Sequence, residues 1–233
     1  MRCPLAQTKL NYMRLFLSSF FLCLFFFYTP AFGEEIYKKY TVKVSGIKIG
    51  ELEWYVKINS TNYTNKLILK SKGMLSKVYR FKGNYFSKGT VNKNQLNPTE
   101  YNHLWETSKK TKTVNLIFHN ERLISLTQTP VEKEHLRTNI FTTNESKDPL
   151  TSFLQIIMGK KNSLVIDGRR MYLMSAVLDK KNSQTLVEIS KLSNLWADHK
   201  RTKFEKIIFE KEIGDFLPIK INIYFDGRVF KIE

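Results

Sequence analysis

Apolar and polar residues alternate along most of the chain, most clearly between positions 40 and 58. Successive side chains of a strand point to opposite faces of a sheet, so the pattern predicts antiparallel strands with one buried face. Ser45-Gly46 predicts a turn between the first two strands. Beyond Gly50 the apolar residues change parity, as they do at a β-bulge, which predicts a bend in the second strand. The apolar positions are Tyr40, Val42, Val44, Ile47, Ile49, Leu52, Trp54, Val56 and Ile58.

The same alternation predicts strands along the rest of the chain. Asp226-Gly227 lies between two apolar runs and predicts a tight hairpin, and Asp167-Gly168 is typical of the same turn. The predicted strands are Tyr63–Leu69, Val78–Phe86, Tyr101–Glu106, Val114–Phe118, Leu123–Leu126, Leu164–Ile166, Arg170–Leu178, Thr185–Ile189, Phe204–Phe209, Ile219–Phe225 and Val229–Ile232.

One segment has helical spacing instead. Asp148-Pro149 combines an N-cap residue with proline at the first helical position, and Gly159 ends the segment. The apolar stripe of this helix is Leu150, Phe153, Leu154 and Ile157. We expect the stripe to cover the concave face of the sheet, with a partner-binding helix as the alternative. The predicted fold is mainly β: a curved antiparallel sheet or partly open barrel with one short covering helix at about 148–158.

The N-terminal segment has the features of a secretory signal peptide. Arg2, Lys9 and Arg14 precede an apolar run from Leu15 to Tyr28, which is shorter than a membrane-spanning helix requires. We predict that residues 1–33 are removed and that residues 34–233 form a single β-rich domain in the periplasm, with no transmembrane segment. An uncleaved anchor is the alternative, and a start at Met13 would give a leader of more usual length.

Charge and cysteine content restrict the partners of the predicted mature chain. Both cysteines, Cys3 and Cys23, lie in the leader, so no disulfide is expected. The formal charge of the whole sequence is +17, of which the three basic leader residues account for +3. The remaining excess favours anionic partners such as lipid head groups, an anionic membrane surface or an acidic envelope protein, whereas nucleic acid is not expected outside the cytoplasm. Base composition of the genome is the alternative source of the lysines, which are scattered.

No catalytic, cofactor or metal site is predicted. The histidines His103, His119, His135 and His199 have no metal-binding spacing, and Asp198-His199 is an adjacent acid–imidazole pair that we expect to lie in a solvated loop. Glu51 and Glu53 share one strand face and are expected on the solvent side of the sheet. The sequence contains no Gly-x-Ser-x-Gly or phosphate-binding glycine motif. A non-enzyme is therefore the favoured prediction and a hydrolase the minor alternative.

Aromatic residues are abundant, and in a bent sheet they could line an apolar groove. The candidate groove residues are Trp54, Tyr79, Phe81, Tyr101, Trp105 and Phe153. The alternative for each is a place in the filled core. A second ambiguity concerns Asp167, Arg169 and Arg170, which form either a charged site or, as we favour, a hairpin turn with flanking surface arginines.

Several short motifs in a fixed order resemble domain-of-unknown-function family 3108, a family of exported bacterial proteins. They are Tyr40-Thr41-Val42 through Gly46 to Gly50-Glu51, Lys72-Gly73, Ser87-Lys88-Gly89, Pro98 to Tyr101, Asp148-Pro149-Leu150-Thr151-Ser152, Asp167-Gly168-Arg169-Arg170 and Pro218-Ile219-Lys220-Ile221. The resemblance implies a curved antiparallel sheet in the periplasm and no assigned enzymatic activity.

Two functional hypotheses follow. The first is a non-catalytic periplasmic binding or carrier protein whose sheet holds an apolar or anionic-lipid ligand, with lysines at its rim. The second is a structural or assembly factor of the envelope, which docks another protein through a sheet edge or through the Asp148–Gly159 helix.

Overall fold

The predicted strands join into one sheet in a computed structural model that describes residues 35–73, 75–78, 80–179, 183–196 and 203–233. Fourteen strands are present in these ranges: β1 Glu35–Val44, β2 Ile47–Ile58, β3 Asn62–Ser71, β4 Phe81–Asn92, β5 Gln95–Thr107, β6 Thr111–His119, β7 Arg122–Thr129, β8 Ser146–Lys147, β9 Asn162–Ile166, β10 Arg170–Asp179, β11 Gln184–Asn194, β12 Phe204–Glu210, β13 Lys220–Phe225 and β14 Arg228–Ile232. The helices are α1 Leu75–Val78, a single turn, and α2 Pro149–Ile157.

The mainly β fold class is confirmed, with two corrections to the elements. Val78 ends α1 rather than starting a strand, and β4 begins at Phe81 and continues to Asn92. The short strand β8 was not predicted, and it pairs with β9 in parallel, unlike every other described strand pair. The reason is local, because α2 connects these two strands and a parallel pair requires such a crossover.

The sheet consists of two meanders joined by the ends of the chain. Its strand order is β7-β6-β5-β4-β3-β2-β1-β14-β13-β12-β11-β10-β9-β8, so β1 and β14 pair at its centre. The outermost strands, β7 and β8, are neighbours in sequence. An isolated bridge between Arg122 and Asn144 brings β7 to the segment before β8. The sheet therefore curls into a nearly closed barrel.

The predicted bulge in the second strand is present. Val42 pairs with Gly50 and Lys43 with Lys48, so Ile49 is the extra residue on β2. A Cβ atom at position 50 would lie 2.5 Å from the carbonyl oxygen of Lys70 on β3. Glycine is required here because the neighbouring backbone approaches too closely for any side chain. The bulge bends β2 and contributes to the curvature of the sheet.

The alternating apolar residues of the strands fill the interior of the barrel together with α2. Leu150 packs in one apolar cluster with residues of β5, β6, β7 and β9, whereas Leu154, Ile156 and Ile157 pack in a second cluster that includes residues of β1, β2, β3 and β9 to β14. The polar residues Thr151, Ser152 and Gln155 of α2 are also buried. The helix thus lies inside the barrel with both of its faces enclosed, which is more than the predicted covering role requires.

A buried lysine connects β8, at one end of the sheet, to β5 in the other meander. Lys147 of β8 is 1% exposed, and its Nζ donates hydrogen bonds to the carbonyl oxygen of Leu96 (2.7 Å) and to Oδ1 of Asn97 (3.0 Å), both on β5. Burial lowers the pKa of Lys147 from 10.5 to about 8, and the charge of Lys160 adds to the shift. The closure of the barrel therefore includes a cation that is hydrogen-bonded but poorly solvated.

The predicted signal peptide and the two cysteines lie outside the described residues. The division into residues 1–33 and 34–233 stays a prediction. In the part of the chain that the structure describes, no helix is both long enough and apolar enough to span a membrane.

The buried Lys147 should make stability depend on pH. Between pH 8 and 10.5 the unfolded chain holds this proton and the folded chain does not, so stability should rise with pH across that window. Urea unfolding of wild type and Lys147→Met at pH 7 to 10 should show wild type gaining up to about 3 kcal/mol relative to the variant. The exposed Lys57→Met is the control. A pH-independent difference between wild type and Lys147→Met would contradict this prediction.

Candidate ligand-binding cavity

An apolar cavity of about 420 Å³ lies between α2 and the inner face of the sheet. Strands of both meanders form its walls. Each strand contributes alternate residues, since every second side chain points inward. On β13, for example, Ile221 and Ile223 both face the cavity. Its apolar lining comprises Leu52, Trp54, Leu67, Tyr85, Tyr101, Val114, Pro149, Leu150, Phe153, Tyr172, Met174, Phe204, Ile207, Ile221, Ile223, Phe225 and Ile232.

The aromatic residue of α2 forms part of the wall. The ring of Phe153 stacks on Trp54, with 6.0 Å between centroids, and meets Phe209 edge-on at 5.6 Å. Trp54 is 1% exposed, whereas Phe153 is half-buried because one side of its ring borders the cavity. These ring contacts fix the position of the helix surface that the cavity presents.

The six candidate groove residues fall into three groups. Trp54, Tyr101 and Phe153 line the cavity. Phe81 and Trp105 lie outside its lining and stack on each other, with 5.4 Å between their centroids. Tyr79 lies outside the described residues. The aromatic excess is visible in the sequence, but the separation of wall from core residues depends on where α2 leaves space in the folded barrel.

A buried carboxylate holds α2 inside the barrel. Asp148 is fully buried, and its Oδ1 accepts hydrogen bonds from the backbone N–H groups of Leu150 (2.9 Å) and Thr151 (3.0 Å). Its Oδ2 accepts hydrogen bonds from the hydroxyl of Ser87 on β4 (2.9 Å) and from the hydroxyl of Thr151. Burial raises the pKa of the Asp148 carboxyl, and the hydrogen bonds oppose that shift. The N-cap therefore joins the helix to the sheet.

Further hydrogen bonds extend this network to the cavity wall. The hydroxyls of Tyr63 and Thr151 are 2.6 Å apart. Asn65 donates from Nδ2 to the carbonyl oxygen of Leu150 (3.1 Å) and accepts at Oδ1 from the indole N–H of Trp54 (2.7 Å). The N-cap was identified from the sequence, but these partners on β2, β3 and β4 were missed because no local pattern connects them to the helix.

The polar end of the cavity is formed by the turn between β9 and β10. Oδ1 of Asp167 accepts hydrogen bonds from the backbone N–H groups of Arg169 (2.8 Å) and Arg170 (2.6 Å), which closes the turn. Its Oδ2 lies 2.9 Å from both Nε and Nη2 of Arg170. All three side chains also line the cavity. The segment is thus the hairpin turn that we favoured, and it also places charged groups at the site.

Packing holds the turn against the barrel. Gly168 has φ +87, and a Cβ atom there would lie 2.4 Å from Cγ1 of Val114 on β6. The indole N–H of Trp196 donates to the carbonyl oxygen of Gly168 at 2.9 Å. A larger residue than glycine would push the turn away from β6.

Charge is unevenly distributed at this end of the cavity. The charge of Asp167 is balanced by Arg170, whose guanidinium also lies 5.6 Å from the centroid of Phe225. Arg169 is half-buried, and its guanidinium forms no hydrogen bond or ion pair with another residue that the structure describes. The local charge of the cavity is therefore positive.

His103 lies on the wall beside the turn. Its ring stacks on Tyr85 with 4.4 Å between centroids, and its buried Nε2 has no hydrogen-bond partner among the described residues. Burial lowers the pKa of His103 to about 4. The imidazole is therefore neutral at neutral pH and offers one unused polar atom at the cavity wall.

The other candidate chemistry identified from the sequence does not gather at this cavity. Glu51 pairs with Lys39 at 3.0 Å, and Glu53 lies 3.9 Å from Lys70. Asp198-His199 lies outside the described residues. Within the described ranges no three residues among His, Cys, Asp and Glu are placed to hold a metal ion.

Comparison with known proteins gives a family and one distant structure. The family model described as "Protein of unknown function (DUF3108)" matches residues 39–166. The crystal structure of a beta-barrel-like protein of domain of unknown function DUF1849 from Brucella abortus is 8% identical, with a TM-score of 0.47, over 87% of this chain and 96% of that chain. No curated protein matches the sequence.

Removing the buried carboxylate should release α2. Asp148→Ala deletes the N-cap and leaves the Ser87 and Thr151 hydroxyls without their acceptor, so we expect a loss of about 2 to 4 kcal/mol in the free energy of unfolding. Asp148→Asn keeps the capping oxygen and should cost clearly less. Urea denaturation followed by tryptophan fluorescence measures both. Equal losses for the two variants would contradict the capping role.

Proposed function

The chain belongs to the DUF3108 family of proteins of unknown function, and we propose that it is a non-catalytic periplasmic protein that binds or carries an amphiphile in its apolar cavity. The observation that carries this proposal is the cavity itself. Protein interiors are close-packed and rarely contain voids much larger than a water molecule. A space of about 420 Å³ with apolar walls falls in the size range of small-molecule sites, which is 300 to 1,000 Å³.

An acyl chain is the ligand class that best matches these walls. Their few polar groups are at the turn between β9 and β10 and at His103, so the rest of the surface offers only apolar contacts and the tyrosine hydroxyls. Burial gains roughly 0.8 kcal/mol for each methylene group. A chain of about ten methylenes would therefore gain roughly 8 kcal/mol, which corresponds to micromolar affinity before the costs of ordering.

The same wall supports a non-catalytic role. The buried hydroxyls of Ser87 and Thr151 hydrogen-bond to Asp148 and do not line the cavity. His103, the histidine on the wall, has no hydrogen-bonded carboxylate among the described residues to orient it. Among the described residues, a nucleophile, a base and an orienting group are thus not assembled around the cavity.

The envelope assembly role remains the second candidate, in a narrower form. Seven of the nine residues of α2 are buried inside the barrel, which disfavours the helix as a docking surface. The edge strand β7 is a better candidate because its outer residue Ile124 is 58% exposed. Unpaired strand edges can accept a strand from another protein. Docking through a strand edge does not require an internal cavity, which is why we favour amphiphile binding.

Filling the cavity should abolish binding of an acyl probe. Ile223 faces the cavity and is half-buried, so Ile223→Trp should occupy the space with an indole ring. We expect the affinity for a fluorescent fatty acid to fall at least tenfold, measured by fluorescence titration of the mature protein.

The neighbouring residue supplies the matched control. Tyr224 is absent from the cavity lining and lies beside Lys206, so Tyr224→Trp adds the same side chain on the other face of β13. It should leave the affinity unchanged. If wild type fails to bind the probe, or if Ile223→Trp binds as well as Tyr224→Trp, amphiphile binding in this cavity is wrong.

Export predicts a defined N-terminus for the working protein. Cleavage after Gly33 would leave a chain that begins at Glu34, which intact-mass spectrometry of protein from a periplasmic extract should detect. Replacement of Ala31 and Gly33 by bulky residues should block cleavage. Recovery of the full-length chain from the cytoplasmic fraction would contradict the proposed location.

A further inference from the structure

We propose that Arg169 binds the anionic head group of the amphiphile, so that the ligand is a single-chain carboxylate or phosphate with its tail in the cavity. This inference rests on the proposed function and adds the chemical class of the ligand. Arg169 and Arg170 both line the cavity, and Arg170 forms an ion pair with Asp167. The proposal is based on Arg169, whose guanidinium forms no ion pair with a described acidic residue.

The geometry of the turn assigns different roles to its two arginines. Arg170 is held by Oδ2 of Asp167 and lies over Phe225, so its charge and orientation are already committed. The backbone of Arg169 is fixed on both sides, because its N–H donates to Asp167 and its carbonyl oxygen accepts from Leu195 at 2.8 Å. Arg169 therefore has an anchored backbone and an unused side-chain donor set, which suits recognition of a planar oxyanion.

A second cation adds to the positive potential. Lys112 lies on β6 opposite Trp105 of β5. It is two residues before Val114, which lines the cavity. It is half-buried and has no ion pair among the described residues. Partial burial lowers its pKa, and the nearby charges of Arg169 and Lys110 lower it further. An anion placed between Arg169 and Lys112 would relieve this repulsion.

His103 supplies a neutral polar atom at the same place. Its buried Nε2 lacks a partner among the described residues, and a buried polar atom without a hydrogen bond is costly. The charges of Arg169 and Lys112 both act on the imidazole, where they lower its pKa. A head group bound by these two cations would therefore place an oxygen where it can hydrogen-bond to Nε2. Asp167, the acidic residue of the cavity lining, is already satisfied by Arg170 and two backbone N–H groups, and Glu132 is a second anion whose charge acts on Lys112 and raises its pKa.

Ligands of equal chain length separate tail from head recognition. Dodecanoate and dodecan-1-ol would each be titrated against the mature wild type and against Arg169→Gln at pH 8, by displacement of a neutral fluorescent probe. We expect wild type to prefer dodecanoate, and Arg169→Gln to lose roughly tenfold to a hundredfold of that affinity while binding dodecan-1-ol unchanged. Arg169→Lys should recover part of the loss because it keeps the charge.

Controls keep the result specific to the turn. Arg228→Gln changes the net charge by the same amount at an exposed hairpin position and should leave both affinities unchanged. Unfolding midpoints of all variants would show that Arg169→Gln is folded. Inorganic phosphate should displace dodecanoate only at far higher concentration, since it lacks the tail.

The outcomes distinguish this inference from the proposed function. Binding of dodecan-1-ol with no preference for dodecanoate, or equal losses for both ligands in Arg169→Gln, would overturn the head-group assignment and leave amphiphile binding intact. Displacement by inorganic phosphate as effective as by dodecanoate would also overturn it, because the site would then recognise a free anion. Failure of wild type to bind either chain would remove the proposed function itself.

Discussion

The buried carboxylate of Asp148 is the interaction on which the interior of this barrel depends. It caps α2 through two backbone N–H groups and at the same time accepts a hydrogen bond from Ser87 of β4. A charge inside a protein is tolerated only where hydrogen bonds replace its hydration. The hydroxyl of Thr151 also donates to this carboxylate, and Tyr63 and Asn65 hydrogen-bond in turn to Thr151 and to the carbonyl oxygen of Leu150, so the helix is fixed in a polar corner of an otherwise apolar interior.

The position of α2 explains why the barrel contains a cavity. The polar face of the helix lies against β3 and β4, so its apolar face covers only part of the inner surface of the sheet. Phe153 extends from that face to Trp54 and Phe209. The space beyond its ring is the cavity, which is lined by strands of both meanders. A helix anchored only by apolar contacts could shift to close this gap, whereas one anchored by directional hydrogen bonds cannot.

The charged turn has a comparable double role. Asp167 closes the backbone turn and neutralises Arg170, so the hairpin between β9 and β10 is stable without help from a ligand. Its packing against Val114 and Trp196 then sets Arg169 at the cavity. A structural device and a candidate binding group thus occupy four consecutive residues, which explains why turn and charged site were hard to separate by inspection of the sequence.

The amino-acid sequence by itself determined the features that depend on near neighbours. Alternation predicted the strands, Gly50 the bulge, and Asp148-Pro149 the start of α2, because each is a property of a few adjacent residues. The error at Val78 and the missing β8 have the same origin, since a four-residue helical turn and a two-residue strand carry little pattern.

Only the tertiary structure decided which aromatic residues are wall and which are core. Asp148 and Ser87 are 61 positions apart, and Arg169 reaches the cavity only because the curled sheet brings its turn against β6. Such contacts follow from chain closure, which no local pattern encodes.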